Sequence, residues 1–232
     1  EVHLDLITAH IRVGDLKIAN DKLTKFRNIS TRSGIDEINT DLAFYSLKIE
    51  EAHTGNIEDY RSLLSNLVDY LETMKGRVTI MTLNELTFGL AVLSFFRKDF
   101  VNTLKLIDKL LKGSNIKLTP LFESYSRMLL VLTHFELGNY KLLSFLIPST
   151  VKLLKKKHKL FGAESLLLKH VKRMIRFKSS EDLIEQLTLL LTELENINKN
   201  QLEKNYSAFI DYESWIRSKI HELHVTVNVC LR

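Results

Sequence analysis

His134-Phe135-Glu136-Leu137-Gly138-Asn139-Tyr140 breaks one helical pattern and begins another. Glycine ends a helix at little cost because it accepts positive φ. Asn or Asp beside it can cap the helix that follows. The stretch therefore reads as the tight turn of a helical hairpin. Gly14-Asp15-Leu16 and Gly55-Asn56-Ile57 have the same form, and Lys98-Asp99-Phe100 and Glu181-Asp182-Leu183 fill the slot without glycine. Aligned on the apolar third residue, the five turns fall at 16, 57, 100, 140 and 183, at intervals of 41, 43, 40 and 43. A steady period of this size marks a stacked helical array.

The other punctuation fits that frame. Gly34, Gly76, Gly113 and Gly162 lie between the turns, where one hairpin passes to the next. Only Gly89 sits inside a helical pattern, which suggests close helix approach. The spacing predicts helices over 2–13, 15–29, 36–54, 56–75, 80–97, 99–112, 120–137, 139–157, 163–177, 181–197 and 202–224. Leu42, Tyr45, Ile49 and Ala52 form one apolar stripe, and Leu104, Ile107, Leu110 and Leu111 another. Thr82 with Glu85 has the form of a capping box. Pro120 after Thr119 suits the first position of a helix. Pro148 falls inside a helical pattern and should kink or split it near Ile147. Hairpins alone cannot bury their apolar faces, so neighbours must stack. The expected fold is all-α: a right-handed α-α superhelix of about five hairpins, period about 41, plus a C-terminal capping helix. The hairpins span 1–33, 34–77, 78–114, 115–160 and 161–198, the cap 200–226, in one domain over 1–232.

Composition agrees. The 232 residues are 45% hydrophobic and 26% charged, with only two prolines and eight glycines. That excludes wholesale disorder and disfavours turn-dense β architectures. One cysteine excludes an internal disulfide framework and a cysteine-built zinc site. No apolar run is long enough for a membrane span, and no secretion signal opens the chain, so a cytoplasmic location is expected. The absence of an initiator Met before Glu1 suggests a fragment, the end of something longer. A cut end exposes an apolar face, and the helix from Val2 to Val13 could then stack end to end as a homodimer.

Helix pairs with a small residue before a Gly-Asn or Gly-Asp turn and an aromatic after it resemble the tetratricopeptide superfamily. His134–Tyr140 lies nearest to that family's Leu-Gly-x-x-Tyr region. The family's Trp and Pro positions are unfilled, and its period is shorter, about 34 residues. Phe209-Ile-Asp-Tyr-Glu-Ser-Trp215-Ile-Arg-Ser-Lys-Ile220 is similar to the closing segment of uncharacterised bacterial helical-repeat proteins. The resemblance implies a module that holds other proteins or peptides and carries no catalytic residue.

The net charge of +5 conceals a local asymmetry. Residues 141–178 hold eleven Lys or Arg and one acid, Glu164. Lys152, Lys155, Lys156 and Lys159 recur at i, i+3, i+4, i+7, and Lys169, Lys172, Arg173 and Arg176 repeat that spacing on the next helix. Each set lies on one side of its helix. Opposite the second set lie Leu167, Leu168, Val171, Met174 and Ile175. Such ridges are either a solvated face or an anion-binding surface for nucleic acid, an acidic partner segment or an anionic membrane surface, the last disfavoured because the apolar face is needed by the stack. Nearby aromatics, Phe161 and Phe177, read as core.

Chemistry finds little support. His221-Glu222-Leu223-His224 has its histidines at i, i+3 rather than the i, i+4 of a zinc-protease helix. Glu50-Glu51, Glu58-Asp59 and Glu181-Asp182 lie near helix ends or turns, and the last two pairs fall in the first turn of a helix, where acids complement the helix dipole. There is no phosphate-binding loop and no nucleophile elbow, and Cys230 is a lone thiol. His10 and His134 each precede a turn glycine by four residues and read as one repeated packing position. Trp215, with Tyr212 and Phe209, reads as a cap on the fifth hairpin or as an interface anchor. The expectation is a non-enzymatic protein–protein interaction scaffold without cofactor or metal, binding a peptide or helix. The alternative is nucleic-acid or acidic-partner binding through 141–178.

Overall fold

The computed structural model describes residues 2–28, 34–53, 55, 60–74, 76–112, 118–156, 162–197 and 210–230. Among them the protein is all-α, with α1 (Val2–Arg12), α2 (Leu16–Arg27), α3 (Gly34–His53), α4 (Tyr60–Thr73), α5 (Ile80–Phe96), α6 (Phe100–Lys112), α7 (Pro120–Glu136), α8 (Tyr140–Lys156), α9 (Gly162–Met174), α10 (Ser180–Ile197) and α11 (Tyr212–Cys230). The chain forms two compact units, Glu1–Leu106 and Ile107–Arg232, divided within α6.

Three of the turns share one hydrogen-bond pattern. The N–H of Asp15 donates to His10 O at 2.9 Å, that of Asp99 to Ser94 O at 2.9 Å, and that of Asn139 to His134 O at 3.0 Å. One residue earlier, Gly14, Lys98 and Gly138 donate to Ile11, Phe95 and Phe135. This paired closure satisfies the last carbonyls of α1, α5 and α7 and requires a left-handed residue. Gly14 and Gly138 supply it at φ 83° and 68°, and Lys98 at 60°. The two turn histidines also match. His10 Nδ1 lies 3.5 Å from Asp15 Oδ2, and His134 Nδ1 lies 3.1 Å from Asn139 Nδ2. Each imidazole reaches across its turn to the residue five positions on.

Lys98 carries a Cβ where the other two positions have none. Lys98→Gly is expected to raise unfolding stability by ~0.5–1 kcal/mol, the relief of left-handed strain less the extra freedom of the unfolded chain. A urea midpoint that stays put or falls would contradict this.

In the first unit α1, α2 and α3 pack together around Ile7, Ile11, Ala19, Leu23, Ala43 and Leu47. α5 packs on α3 and α4 and is apolar on every side, with Leu83, Leu86, Phe88, Leu90, Ala91, Val92, Leu93 and Phe95 all buried. A helix apolar all round belongs inside. Its buried hydroxyls are satisfied within the helix, Thr87 Oγ1 donating to Leu83 O and Ser94 Oγ to Leu90 O. Tyr60 at the start of α4 donates to Ser94 Oγ at 2.7 Å and reaches Asp99 Oδ2 at 3.3 Å, and burial pushes its phenol up to about 12. Two expectations change here. The cap of α5 is Thr79, whose hydroxyl accepts from Thr82 N at 3.2 Å, so Thr82 lies inside the first turn rather than before it. At Gly89 an added Cβ would stand 3.5 Å from Ile49 Cδ1, an ordinary contact, so the approach of α3 leaves room for a methyl group.

In the second unit α7 is the enclosed helix. Phe122, Tyr125, Met128, Leu129, Val131, Leu132 and Phe135 are buried around its circumference. Thr119 caps it and Pro120 takes its first position. α8 packs on α7, α9 on α8, α10 on α9 and α11 on α10. Pro148 does not split α8, which runs unbroken from Tyr140 to Lys156. The proline is exposed, so the Ser144 carbonyl that loses its donor is on the solvent side of the helix, where water can replace the bond.

Candidate interaction surface

α8 buries Leu143, Ile147, Thr150 and Leu154. These recur at helical spacing and lie along one side. The opposite side holds Lys141, Phe145, Lys152 and Lys156, which fall within a sector of about 60° at 100° per residue. All four are exposed, Phe145 to 69%. Leu142, exposed to 46%, flanks them, and Leu137 and Tyr140 at the preceding turn are also exposed. α8 contains no acidic residue. Along it, Phe145 stands about 6 Å from Lys141 and about 10 Å from Lys152 at 1.5 Å per residue. From its N-terminal end the face thus runs Lys141, then the apolar Leu142 and Phe145, then Lys152 and Lys156.

On α9 the inward face is Ala163, Glu164, Leu167, Leu168, His170, Val171 and Met174. Lys169, Lys172, Arg173 and, just beyond the helix, Arg176 and Lys178 are exposed. Glu164 is the only acid between 141 and 178, and it is buried at 1% exposure. The cationic surface of α8 and α9 therefore has no carboxylate of its own segment to balance it. Among the described residues, none of Lys152, Lys155, Lys156, Lys169, Lys172, Arg173 and Arg176 forms an ion pair. Lys159 lies outside the described residues. α9 differs from α8 in one respect: its exposed side carries no large apolar residue.

The buried Glu164 belongs to a polar interior. The phenol of Tyr212, fully enclosed, is held well above its usual range, first by burial and then by the neighbouring Glu164 carboxylate and Tyr125. His170, also enclosed, has Nδ1 2.7 Å from Gln186 Nε2 and Nε2 3.5 Å from Glu193 Oε2. With Gln186 donating, the ring proton sits on Nε2 toward Glu193. Burial lowers the His170 pKa below 6.5, Glu193 opposes that shift, and Lys169 and Arg173 add to it. A base harder to protonate when folded makes the unfolded state bind more protons, so stability is lost as pH falls below 6.5. The melting temperature is expected to drop between pH 7 and pH 5.5, and less so in His170→Gln. An equal drop in both would remove His170 as a cause.

Trp215 and Tyr212 of α11 are buried, so neither is an exposed anchor. The ring of Trp215 meets Phe135 edge-on, with centroids 6.0 Å apart. Its Nε1–H donates to Glu136 Oε1 at 2.7 Å, and Lys219 Nζ donates to Glu136 Oε2 at 2.6 Å. The Trp215 side chain is thus fastened to the end of α7, while its helix packs on α10. Phe209 lies outside the described residues.

Sequence reading found the lysines and missed Phe145. The signal was present: Phe145 stands half a turn from the line through Leu143, Ile147 and Leu154. Among the described residues no group of three or more His, Cys, Asp or Glu is placed to hold a metal ion, and no helix is long and apolar enough to cross a membrane. No family model matches the chain, and no curated protein or solved structure matches it.

Proposed function

We propose that the chain is a non-enzymatic interaction module of tetratricopeptide-like type, a right-handed stack of helical hairpins, whose ligand is an acidic helical segment of a protein. The observation that carries this reading is the outward face of α8. Phe145 and Leu142 offer a hydrophobic anchor, and Lys152, Lys155 and Lys156 follow it with no ion-pair partner among the described residues. An amphipathic helix docks by laying apolar anchors into such a face. Exposed aromatic side chains are the residues that most often dominate binding, and the lysines steer and orient an acidic partner.

The test is fluorescence anisotropy with a labelled amphipathic Glu/Leu helical peptide and, in parallel, a labelled DNA oligonucleotide. Phe145→Ala is expected to weaken peptide binding about 30-fold, the size of a hot-spot loss. Lys152→Glu/Lys156→Glu should weaken it at least ~10-fold at low salt and less at high salt. Peptide binding that ignores both variants would sink the reading.

Nucleic acid is the second reading, and the purely basic exposed side of α9 favours it. Oligonucleotide binding would then follow salt steeply, with a slope of about −0.9 per neutralised phosphate for duplex DNA. It would respond to Lys172→Glu/Arg173→Glu and hardly to Phe145→Ala.

A further inference from the structure

The chain itself carries a helix face complementary to that of α8. α10 contains no Lys or Arg. It buries Leu187, Leu190 and Leu194. Opposite them it exposes Glu181, Asp182, Glu185, Leu189 and Thr192, with Leu189 exposed to 46%. Asp182 and Glu185 form no ion pair among the described residues, and Glu181 accepts from Ser179 Oγ at 2.9 Å. From N- to C-terminus α8 thus presents Lys141, then the apolar Leu142 and Phe145, then Lys152, Lys155 and Lys156, and α10 presents acidic then apolar residues in the same direction.

We infer that the acidic helix held by α8 is α10 of a second copy of this chain, lying antiparallel, with Leu189 against Phe145 and Leu142 and with Glu181, Asp182 and Glu185 meeting Lys152, Lys155 and Lys156. This rests on the α8 reading above and names its partner. The registers agree. Lys152 lies about 10 Å beyond Phe145 toward the C-terminus of α8, and Asp182 lies about 10 Å before Leu189 toward the N-terminus of α10, at 1.5 Å per residue. Only the antiparallel arrangement brings these two charges together while the apolar residues touch. It also sets the negative end of the α8 dipole beside the positive end of the α10 dipole. A parallel arrangement would set Glu185 beside Lys141 alone, each about 6 Å before its apolar residue, and would leave Lys152, Lys155 and Lys156 away from all three acids. Each protomer carries one face of each kind, so a symmetric pair can make the contact twice. A single helix pair buries little surface, so the association is a weak, salt-sensitive one.

Sedimentation equilibrium of the intact chain tests this, with circular dichroism melts verifying each fold. At 50 mM NaCl the chain should dimerise reversibly, and at 500 mM NaCl the dissociation constant should rise at least ~10-fold. Lys152→Glu/Lys156→Glu and Asp182→Lys/Glu185→Lys should each weaken self-association at least ~10-fold. An equimolar mixture of the two variants should restore it, because every contact between unlike chains again joins opposite charges. A dimer that survives both reversals, as end stacking through α1 would, overturns the proposal. So does a chain that stays monomeric while α8 still captures the Glu/Leu peptide, and that result leaves the α8 reading standing. A monomer whose α8 captures only the oligonucleotide overturns both.

Discussion

Trp215→Ala is expected to lower the stability of the second unit by about 3–5 kcal/mol, the cost of removing a large buried aromatic. Trp215 is only 4% exposed. Three losses coincide. The indole leaves a cavity beside Phe135, the edge-on ring contact disappears, and Glu136 Oε1 loses its 2.7 Å donor. Trp215→Phe separates these terms. It keeps much of the apolar area and the Phe135 contact but removes the N–H, so a loss of only ~1–2 kcal/mol is expected. Urea unfolding followed at 222 nm is the measurement, because both variants lack the only tryptophan as a fluorophore. A loss below that of Trp215→Phe in the alanine variant would mean that α11 does not brace α7.

Glu136→Ala is expected to cost about 2–4 kcal/mol, because two donors lose their acceptor together. The Glu136 carboxylate is 10% exposed and the Lys219 side chain 19%, so the ammonium left behind is only partly rehydrated and keeps only the longer 3.9 Å contact with Glu222. Lys219→Met tests the origin of that cost. If the penalty comes from the stranded ammonium, Glu136→Ala should cost less in the Lys219→Met background than alone, and the double-mutant cycle measures the difference. Purely additive losses would show that Trp215 alone, and not the ion pair, uses Glu136.

The helix plan was legible because helix ends are local events. Gly14 and Gly138 announce left-handed turns, and Thr119-Pro120 announces a helix start; each depends on a few neighbouring residues. Lys98 shows that the same turn can form without its usual residue when its flanks demand it. Pro148 misled for a related reason. The clash and the lost hydrogen bond are local, but whether they break a helix depends on which side faces water. Thr79 displaced Thr82 as the cap because both are threonines one turn apart, and only the backbone shows which one stands outside the first turn.

The candidate surface was half legible. Counting located the basic segment, and spacing placed its lysines on the outer sides of two helices. Neither could show that Glu164 turns inward, which is what leaves the segment's charge uncompensated at the surface. Nor could either rank Phe145, since an aromatic in an amphipathic helix is as readily core as anchor. The same uncertainty covered Trp215, where burial went the other way.

By itself the sequence determined an all-helical chain, a turn chemistry and a local excess of positive charge, because propensity, capping and net charge are written in short stretches. The tertiary structure decided which residues are enclosed. That depends on which faces of which helices meet, a property of pairs far apart in the chain. It enclosed Glu164, His170 and Trp215, and it left Phe145 and Leu189 in solvent beside opposite charges.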